Sequence, residues 1–247
     1  MDTLDKVVGS IYTFLGAPGA GKGSLSSLCV SQLGWTQIST GNLCRWHIAE
    51  QTEVGREIDF AIKSGKLISD ELMTNMVSEQ LHRLAVAAER NVILDGYPRT
   101  VPQAKSLYEQ LQGESARYVL RVVLLEIDKD EVIARLSSRM VCSDKACQAV
   151  YSTRFESGMR PKQTGICDIC GAALEHRKDD TDETIVTRLS QYEKHVTPLI
   201  EFYESVGQRI IRLNANKPIA EVFANFKKMH NQQFQYYLCL KETLVIE

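Results

Sequence analysis

The sequence predicts an α/β fold in three layers, with a five-stranded parallel sheet between two layers of helices. Two observations carry this prediction: short apolar runs alternate with longer stretches of helical periodicity, and a glycine-rich turn follows the first apolar run. A cysteine-rich stretch interrupts the alternation once and indicates an inserted subdomain. The 247 residues, 44% of them hydrophobic and 24% charged, suit one folded domain that carries insertions.

Five apolar runs are interpreted as buried strands, and they lie at 10–15, 36–38, 92–94, 118–125 and 209–213. Helical periodicity covers seven stretches, at 22–33, 53–64, 69–88, 101–111, 129–139, 182–205 and 217–229. Two of these helices have clear start signals: Ser69 precedes Asp70 and Glu71, and Thr181 precedes two acidic residues. Because helices separate successive strands, the strands are expected to run parallel.

The segment 140–178 lacks a helix-length apolar pattern and is rich in Cys, Gly, Ser and Lys, with short candidate strands near 149–155. We expect a core over 1–139 that includes a helical segment at 40–69, the insertion at 140–178, and a return to the core over 179–247. From residue 231 the chain continues as an apolar tail, which we expect to pack as an extra strand or helix, or to join two chains.

Four cysteines lie in the insertion in two pairs: Cys142 and Cys147, then Cys167 and Cys170. Paired spacing of this kind is typical of a structural Zn²⁺ site, in which four thiolates close a tetrahedron and leave no position for catalysis. The first pair is wider than the usual two-residue gap, so four unligated cysteines are the alternative. We expect Zn²⁺ to fold the insertion without taking part in the chemistry.

The formal net charge is −2, with 29 Lys and Arg against 31 Asp and Glu. Such a balance gives no reason to expect nucleic acid or an anionic membrane as a partner. No apolar run reaches the roughly 18 residues of a membrane span, and the N-terminal residues lack the pattern of a signal or transit peptide. We therefore expect a cytoplasmic protein, and a monomer.

A phosphate-binding loop is indicated by GAPGAGKGS at 16–24, which follows a strand and opens a helix. Its glycines allow backbone N–H groups to face phosphate oxygens, and Lys22 can reach the β- and γ-phosphates. The alternative is a chance glycine turn before a helix. Gly23 takes the place after the lysine where the general motif has a hydroxyl residue, and the hydroxyl comes at Ser24. The triphosphate ligands predicted here are Gly19, Ala20, Gly21, Lys22, Gly23 and Ser24.

Further motifs follow the loop: STG at 39–41, Arg45, GKLISDEL at 65–72, DGYPRT at 95–100, RKDD at 177–180 and KP at 217–218. In this order the motifs closely resemble the adenylate kinases of the long-lid type with a four-cysteine zinc lid, and the resemblance covers about 10–229. It implies a P-loop nucleoside triphosphate hydrolase-like fold, an AMP-binding helical segment at 40–69 and a lid at 140–178. The implied activity is Mg²⁺-dependent, reversible phosphoryl transfer from ATP to AMP, which gives two ADP.

Two other functions stay open at this point. One is a GTP:AMP phosphotransferase, because the long lid is shared with that branch and Ser152 stands where some ATP-using relatives have histidine. The other is a non-catalytic module that combines a phosphate loop with a zinc ribbon. The near-neutral charge and the set of arginines at family-matched positions argue against the module.

The resemblance also implies roles for individual residues. Catalysis is assigned to Lys22, Arg99, Arg139, Arg177 and Arg188, because guanidinium groups neutralise charge on a transferring phosphoryl group. The donor nucleotide is expected to contact Arg135, Tyr151 and Lys217 in addition to the loop. The AMP site is expected to comprise Thr40, Arg45, Ile62, Lys66, Ile68, Gly96, Arg99, Gln103, Arg177 and Arg188.

Two side chains of the acceptor region have chemistry that can be argued directly. Gln103 carries a carboxamide, whose paired donor and acceptor complement the edge of adenine. Mg²⁺ prefers oxygen ligands and keeps several waters, and Asp95 is the expected carboxylate near its water shell. The family has a second carboxylate where this chain has Asn42. We expect Mg²⁺ binding with altered affinity, and a tighter apparent affinity when Asp replaces Asn42.

Overall fold

Strands and helices alternate along the chain in the computed structural model. The structure describes residues 9–64, 68–87, 89–112, 118–144, 147, 149–154, 158–177 and 180–244, with the backbone alone for 182 and 233–244. Lys66, predicted to bind AMP, lies outside the described residues. None of the helices in this described part has both the length and the hydropathy needed to cross a membrane.

Five strands form the main sheet, in the order β2-β3-β1-β4-β8. Their bounds are β1 Gly9–Gly16, β2 Thr36–Ser39, β3 Asn91–Asp95, β4 Tyr118–Glu126 and β8 Ile210–Asn214. The sheet is parallel, with Ile11 of β1 beside Val92 of β3 and Ile38 of β2 beside Leu94 of β3. The predicted α/β fold with five parallel strands is confirmed, and each strand lies within two residues of its predicted range.

Eight helices occur in the described part of the chain: α1 Lys22–Leu33, α2 Thr40–Ala49, α3 Glu53–Lys63, α4 Asp70–Val86, α5 Val101–Gln112, α6 Lys129–Ser137, α7 Asp182–Ser205 and α8 Ile219–Leu244. The start signal at Ser69 acts as expected, since its hydroxyl accepts a hydrogen bond from the Leu72 N–H at 3.2 Å. Helix α8 continues without a break through 231–244, so the backbone of the tail is helical there.

Periodicity alone gave no signal for one helix and misplaced the ends of two others. Helix α2 lies within the helical segment expected at 40–69, but it is short and buries only Thr40 and Cys44, which leaves too few apolar positions for a periodic signal. Helix α6 ends at Ser137 rather than 139. The chain then enters a strand at Arg139, because the backbone there pairs on both sides. Helix α8 runs past the predicted end at 229.

The insertion forms a separate antiparallel sheet in the order β6-β5-β7, from β5 Arg139–Cys142, β6 Val150–Ser152 and β7 Leu174–His176. Met140 pairs with Tyr151 on one side and with His176 on the other. Among the described residues of this subdomain, the apolar cluster has four buried members, Cys142, Tyr151, Cys167 and Leu174. A core of this size needs a staple such as a metal ion.

The chain divides into two compact units. The first comprises 1–15, 26–123 and 195–211, and the second comprises 16–25, 124–194 and 212–247. Within the first unit, Cys44, Ile58 and Met76 form a buried cluster, and Ile68 packs against it. Within the second unit, Ala17 is buried with Val132 and Leu136 of α6 and with Ile185 and Leu189 of α7. Ala17 of the phosphate loop thus packs on α6 and α7. Helix α2, which begins in the STG segment, packs on α3 and α4.

Candidate active site

The phosphate loop, 16–21, joins β1 to α1 in the second unit. Lys22 Nζ folds back on this loop and donates hydrogen bonds to the carbonyl oxygens of Gly16, at 2.5 Å, and Ala17, at 2.9 Å. The ammonium group is therefore held at the mouth of the loop by two backbone acceptors. A phosphate that enters the loop would replace uncharged acceptors with a charged one, which strengthens the interaction.

Gly19 has a backbone conformation that other residues rarely adopt, with φ of +83°. A Cβ atom added here would lie 3.0 Å from Leu136 Cγ, so the loop also packs closely on α6. At Gly23, in contrast, no atom lies within 4 Å of an added Cβ. Next to it, Ser24 Oγ donates to Met159 Sδ at 3.8 Å. Gly19 is thus required by the shape of the loop, whereas the space around Gly23 is open.

Arg135, on α6, is oriented by three groups. Its Nε donates to Glu131 Oε1 at 2.8 Å, and its Nη2 donates to the carbonyl oxygens of Ala215 at 2.7 Å and Lys217 at 3.2 Å. Its Nη1 lies 3.9 Å from the position of a Cβ built on Gly21, so the guanidinium borders the phosphate loop. This position fits the predicted contact with the donor nucleotide.

Glu131 also binds Arg154 of the insertion, whose Nη1 lies 3.0 and 2.9 Å from the two carboxylate oxygens. Burial raises the pKa of Glu131, but the hydrogen bonds from Arg135 and Arg154 outweigh it, so the net pKa is lowered. Neither Glu131 nor Arg154 was predicted as a site residue. Because Glu131 binds both Arg135 and Arg154, it links the insertion to α6.

Asp180, just after the insertion, accepts hydrogen bonds from two arginines. Arg139 donates to it from Nε at 2.6 Å and from Nη2 at 2.5 Å, and Arg188 Nη1 donates at 2.9 Å. Burial lowers the pKa of Arg139; hydrogen bonding and charge from Asp180 oppose this, and the nearby charges of Arg177 and Arg188 lower it further. The structure therefore brings three of the predicted catalytic arginines into one group.

Two predicted donor ligands have other partners in this structure. The Tyr151 side chain is 8% exposed, and its hydroxyl lies 3.5 Å from Cys167 Sγ and accepts from the Asp168 N–H at 2.8 Å. Tyr151 thus packs inside the insertion, and nothing in its contacts supports the predicted role in ATP binding. Lys217 is exposed, with Nζ 3.8 Å from Glu221 Oε1.

The sulfur atoms of Cys142, Cys147, Cys167 and Cys170 lie within 4.8 Å of one another. Sγ of Cys142 lies 3.3 Å from that of Cys170, and Sγ of Cys147 lies 3.7 Å from that of Cys167. A tetrahedral site with Zn–S bonds of about 2.3 Å has S–S edges of about 3.8 Å, so the four residues fit a Zn²⁺ ion. The hydrogen bond with Tyr151 lowers the pKa of Cys167 to about 6, which favours the thiolate that zinc requires.

Several residues predicted to bind AMP lie in the first unit, where Thr40 opens α2 beside the end of β3. Thr40 is 2% exposed, and its hydroxyl lies 3.3 Å from the carbonyl oxygens of both Asp95 and Gly96. Gly96 has φ of +81°, and a Cβ there would lie 2.7 Å from Thr40 Oγ1 and 2.8 Å from Arg99 Nη2. Arg99 Nε donates to the Gly96 carbonyl at 2.8 Å. Glycine at 96 thus lets Thr40 and Arg99 approach each other.

Gln103 lies on the first turn of α5 and is 6% exposed. Its Oε1 accepts from the Arg99 N–H at 2.8 Å, and its Nε2 donates to Asp70 Oδ1 at 2.7 Å. Asp70 was not predicted as a site residue. The amide of the predicted adenine ligand is therefore hydrogen-bonded at both ends.

Arg45 and Arg99 are both close to Cys44. Burial raises the pKa of the Cys44 thiol, and the charges of Arg99 and Arg45 lower it in part. Arg45 Nη2 also donates to Asn42 Oδ1. Arg45 on α2 and Arg99 in the loop between β3 and α5 thus bring together positive charge of the kind that binds a phosphate.

The remaining predicted residues of the first unit have simpler surroundings. Asp95 Oδ2 accepts from Gln37 Nε2 at 3.2 Å, and Asn42 is exposed. Ile62 is 55% exposed on α3, while Ile68 packs against the cluster around Ile58. These positions leave the polar groups of Asp95 and the apolar surface of Ile62 accessible to a ligand.

Sequence reasoning missed four charged residues that orient predicted ligands: Asp70, Glu131, Arg154 and Asp180. Asp180 lies in the RKDD run and Asp70 in the GKLISDEL run, so each had a signal in its motif. Glu131 and Arg154 had none, because their partners are known only once the chain is folded.

Comparison with known proteins identifies relatives over most of the chain. The sequence model of the adenylate kinase family matches residues 14–208. An adenylate kinase of Rhizorhabdus wittichii is 36% identical over 211 residues, which is 85% of this chain and 94% of the relative. That of Methanosarcina barkeri is 37% identical over 212 residues, 86% of this chain and 94% of the relative. That of Citrifermentans bemidjiense is 40% identical over 194 residues, 78% and 86% of the two chains.

Proposed function

The chain belongs to the adenylate kinase family, and on this premise we propose which of its residues carry the reaction. It is a nucleoside monophosphate kinase that transfers a phosphoryl group reversibly from ATP to AMP, giving two ADP. The observation that supports the residue assignments best is the acceptor pocket of Thr40, Gly96, Arg99 and Gln103. There Arg99 of the DGYPRT block would bind the phosphate, and Gln103, four residues further on, would read the base.

The donor triphosphate is proposed to bind the second unit. Backbone N–H groups of Gly19, Ala20, Gly21, Gly23 and Ser24 face its phosphates, Lys22 neutralises them, and Arg135 and Lys217 lie beside them. Lys22 and Arg135 donate hydrogen bonds to backbone carbonyls, which orient both cations. Tyr151 supports the insertion from inside through its contact with Cys167, and its contact with ATP stays a prediction.

The acceptor is proposed to bind the first unit through Thr40, Arg45, Ile62, Lys66, Ile68, Gly96, Arg99 and Gln103. AMP brings a phosphate that is nucleophilic at neutral pH, so the site needs no general base, and catalysis comes from positioning and charge neutralisation. Arg139, Arg177 and Arg188 are proposed to stabilise the transferring phosphoryl group. Asp180 holds two of them in place through charge-assisted hydrogen bonds.

Two metal ions are proposed, with different tasks. Mg²⁺ accompanies the nucleotide and neutralises its phosphates when bound; Asp95 would accept hydrogen bonds from its water shell, and Asn42 would do so with one neutral oxygen. Zn²⁺ would bind the four lid cysteines as a structural ion. Elemental analysis of the purified protein should give about one zinc per chain, since four thiolates complete a single site.

A GTP donor is the second candidate, and the argument for it came from Ser152. In the structure Ser152 is 8% exposed, and its Oγ lies 3.1 Å from Ser138 Oγ. It therefore braces the root of the insertion, which weakens a role in reading the donor base. The non-catalytic module is set aside, because the family consists of enzymes.

An assay of ADP formation from ATP, AMP and Mg²⁺, run in parallel with GTP, tests the proposal. We expect ADP from ATP and AMP, and a loss of about a hundredfold or more in kcat for Lys22→Met, since its charge acts on the transferring phosphates. Lys194→Met, an exposed lysine on α7, serves as the control and should keep full activity. Faster turnover with GTP would reassign the donor, and no ADP from either triphosphate would contradict the proposed function.

Location and assembly are also proposals. The cytoplasm and a monomeric state follow from the sequence analysis. Cell fractionation and light scattering of the purified protein test them, and a dimer in solution would contradict the second.

A further inference from the structure

Asp70 and Gln103 meet between two helices of the acceptor region. Asp70 is the first residue of α4, Gln103 lies near the start of α5, and 33 positions of sequence separate them. Gln103 Nε2 donates to Asp70 Oδ1 at 2.7 Å, and the Gln103 side chain is almost fully buried. No function assigned above uses this contact.

The contact determines which way the Gln103 amide faces. A carboxylate only accepts hydrogen bonds, so it selects the NH₂ end of the amide. The Arg99 N–H only donates, and at 2.8 Å it selects the oxygen end. If the amide flipped, its oxygen would face the Asp70 carboxylate and its NH₂ group would face the Arg99 N–H. Both neighbours therefore oppose the flip.

With both ends held, one N–H of Nε2 and one lone pair of Oε1 are left for a ligand. This donor–acceptor pair complements adenine, which presents a ring-nitrogen acceptor beside its amino donor. Hypoxanthine has a carbonyl acceptor in place of the amino group and an N–H in place of the ring-nitrogen acceptor. To bind hypoxanthine equally well, the Gln103 amide would have to flip.

The backbone of Gln103 is held as well. Tyr97 is 2% exposed, and its hydroxyl donates to the backbone carbonyl oxygen of Gln103 at 3.2 Å and lies 3.0 Å from Thr74 Oγ1. Thr74 is one helical turn beyond Asp70 on α4. Backbone and side chain of Gln103 are therefore tied to the same helix that presents the carboxylate.

We propose that Asp70 is a positioning residue for acceptor specificity: it holds Gln103 in the orientation that accepts AMP and rejects IMP. The proposal rests on the function proposed above, in which Gln103 reads the base. Asp70 acts through Gln103, so it affects the selection of the base and leaves the phosphoryl transfer step itself unchanged.

The test compares kcat and KM for AMP and for IMP, with ATP saturating, in Asp70→Asn. Asn has the same shape but can also donate, so the penalty against a flipped amide falls. We expect the ratio of kcat/KM for AMP to that for IMP to drop about tenfold, the loss typical of one charge-assisted hydrogen bond. The change should appear in KM, with kcat for AMP and KM for ATP unchanged. Glu71→Gln is the matched control, because Glu71 is an exposed acid in the same first turn of α4.

Gln103→Ala separates this inference from the proposed function. If Gln103→Ala loses the preference for AMP while Asp70→Asn keeps it, with a melting temperature equal to the native protein, the role of Asp70 is refuted and the function stands. If Gln103→Ala keeps the preference, another group reads the base and the inference fails with it. If the native protein forms no ADP from ATP and AMP, the failure lies in the proposed function.

Discussion

Arg139 and Asp180 form a two-point ion pair, in which Nε and Nη2 of the guanidinium donate to the two carboxylate oxygens at 2.6 and 2.5 Å. The Asp180 side chain is 4% exposed and the Arg139 side chain 16% exposed. Arg188 Nη1 donates a further hydrogen bond to Asp180 Oδ1, at 2.9 Å. One buried acid thus holds two arginines, which explains how their positive charges can lie close together.

Replacing Asp180 with asparagine should therefore disturb both stability and catalysis. Removal of one partner leaves a buried guanidinium uncompensated, and the expected cost is about 3 kcal/mol in the free energy of unfolding. We expect kcat to fall at least tenfold, because Arg139 and Arg188 lose their fixed positions. Urea unfolding and steady-state kinetics measure the two effects. Glu183→Gln, an exposed acid in the first turn of α7, is the control and should change neither quantity.

Glu131 should make stability depend on acidic pH. Its pKa lies below the ordinary value of 4.5, because hydrogen bonds from Arg135 and Arg154 outweigh the effect of burial. A carboxyl group with a lowered folded-state pKa stabilises the fold above its ordinary pKa, and the contribution is lost as pH falls through the folded-state pKa. We expect Glu131→Gln to cost about 1 kcal/mol at pH 7, since the ion pairs are partly exposed.

The difference between native protein and Glu131→Gln should shrink as pH falls below 4.5, where the unfolded chain binds a proton at Glu131 first, and should vanish below the lowered folded-state pKa, where the native glutamate is neutral too. Urea titrations at several pH values measure it. Glu79→Gln, which removes an exposed pair with Arg83, should show no comparable pH dependence. A constant difference between the native protein and Glu131→Gln across the acidic range would contradict the ion-pair explanation.

Loss of zinc should unfold the insertion before the rest of the chain. Its apolar cluster has four buried members, so we expect chelation to lower the melting temperature of that part and to slow turnover. Cys170→Ser should reduce bound zinc well below one ion per chain, because three thiolates do not complete the site. Cys44→Ser, a cysteine of the first unit, should retain a full equivalent. Equal zinc contents in the two variants would refute the site.

The Asn42→Asp substitution should strengthen the apparent binding of Mg²⁺ and weaken the binding of AMP. A carboxylate at this position adds charge near the Mg²⁺ water shell, so half-maximal activity should need less Mg²⁺. The same carboxylate would compete for Arg45, which now donates to Asn42 Oδ1, so KM for AMP should rise about threefold. Kinetics at varied Mg²⁺ and AMP separate the effects, with Asn231→Asp on α8 as the control. An unchanged Mg²⁺ requirement would remove Asn42 from the metal site.

Features with a local cause could be predicted from the sequence. The strands and most helices follow from periodicity, the phosphate loop from glycines next to Lys22, and the zinc ligands from the spacing of four cysteines. Helix α2 was expected only from the resemblance and not from periodicity, because it has a Ser39 cap and only two buried side chains. The end of α6 was also misjudged, since strand pairing of Arg139 overrides a helical pattern.

The family and its parallel sheet were determined by the sequence alone, the family through short motifs and the sheet through the alternation of apolar runs with helical periodicity. The tertiary structure decided which charges hold the predicted ligands in place. Asp180 reaches Arg139 across 41 residues, and Asp70 reaches Gln103 across 33. Motifs contain Asp180 and Asp70, but no local signal shows their partners, because a carboxylate and its partner are brought together only when separate elements pack and exclude water.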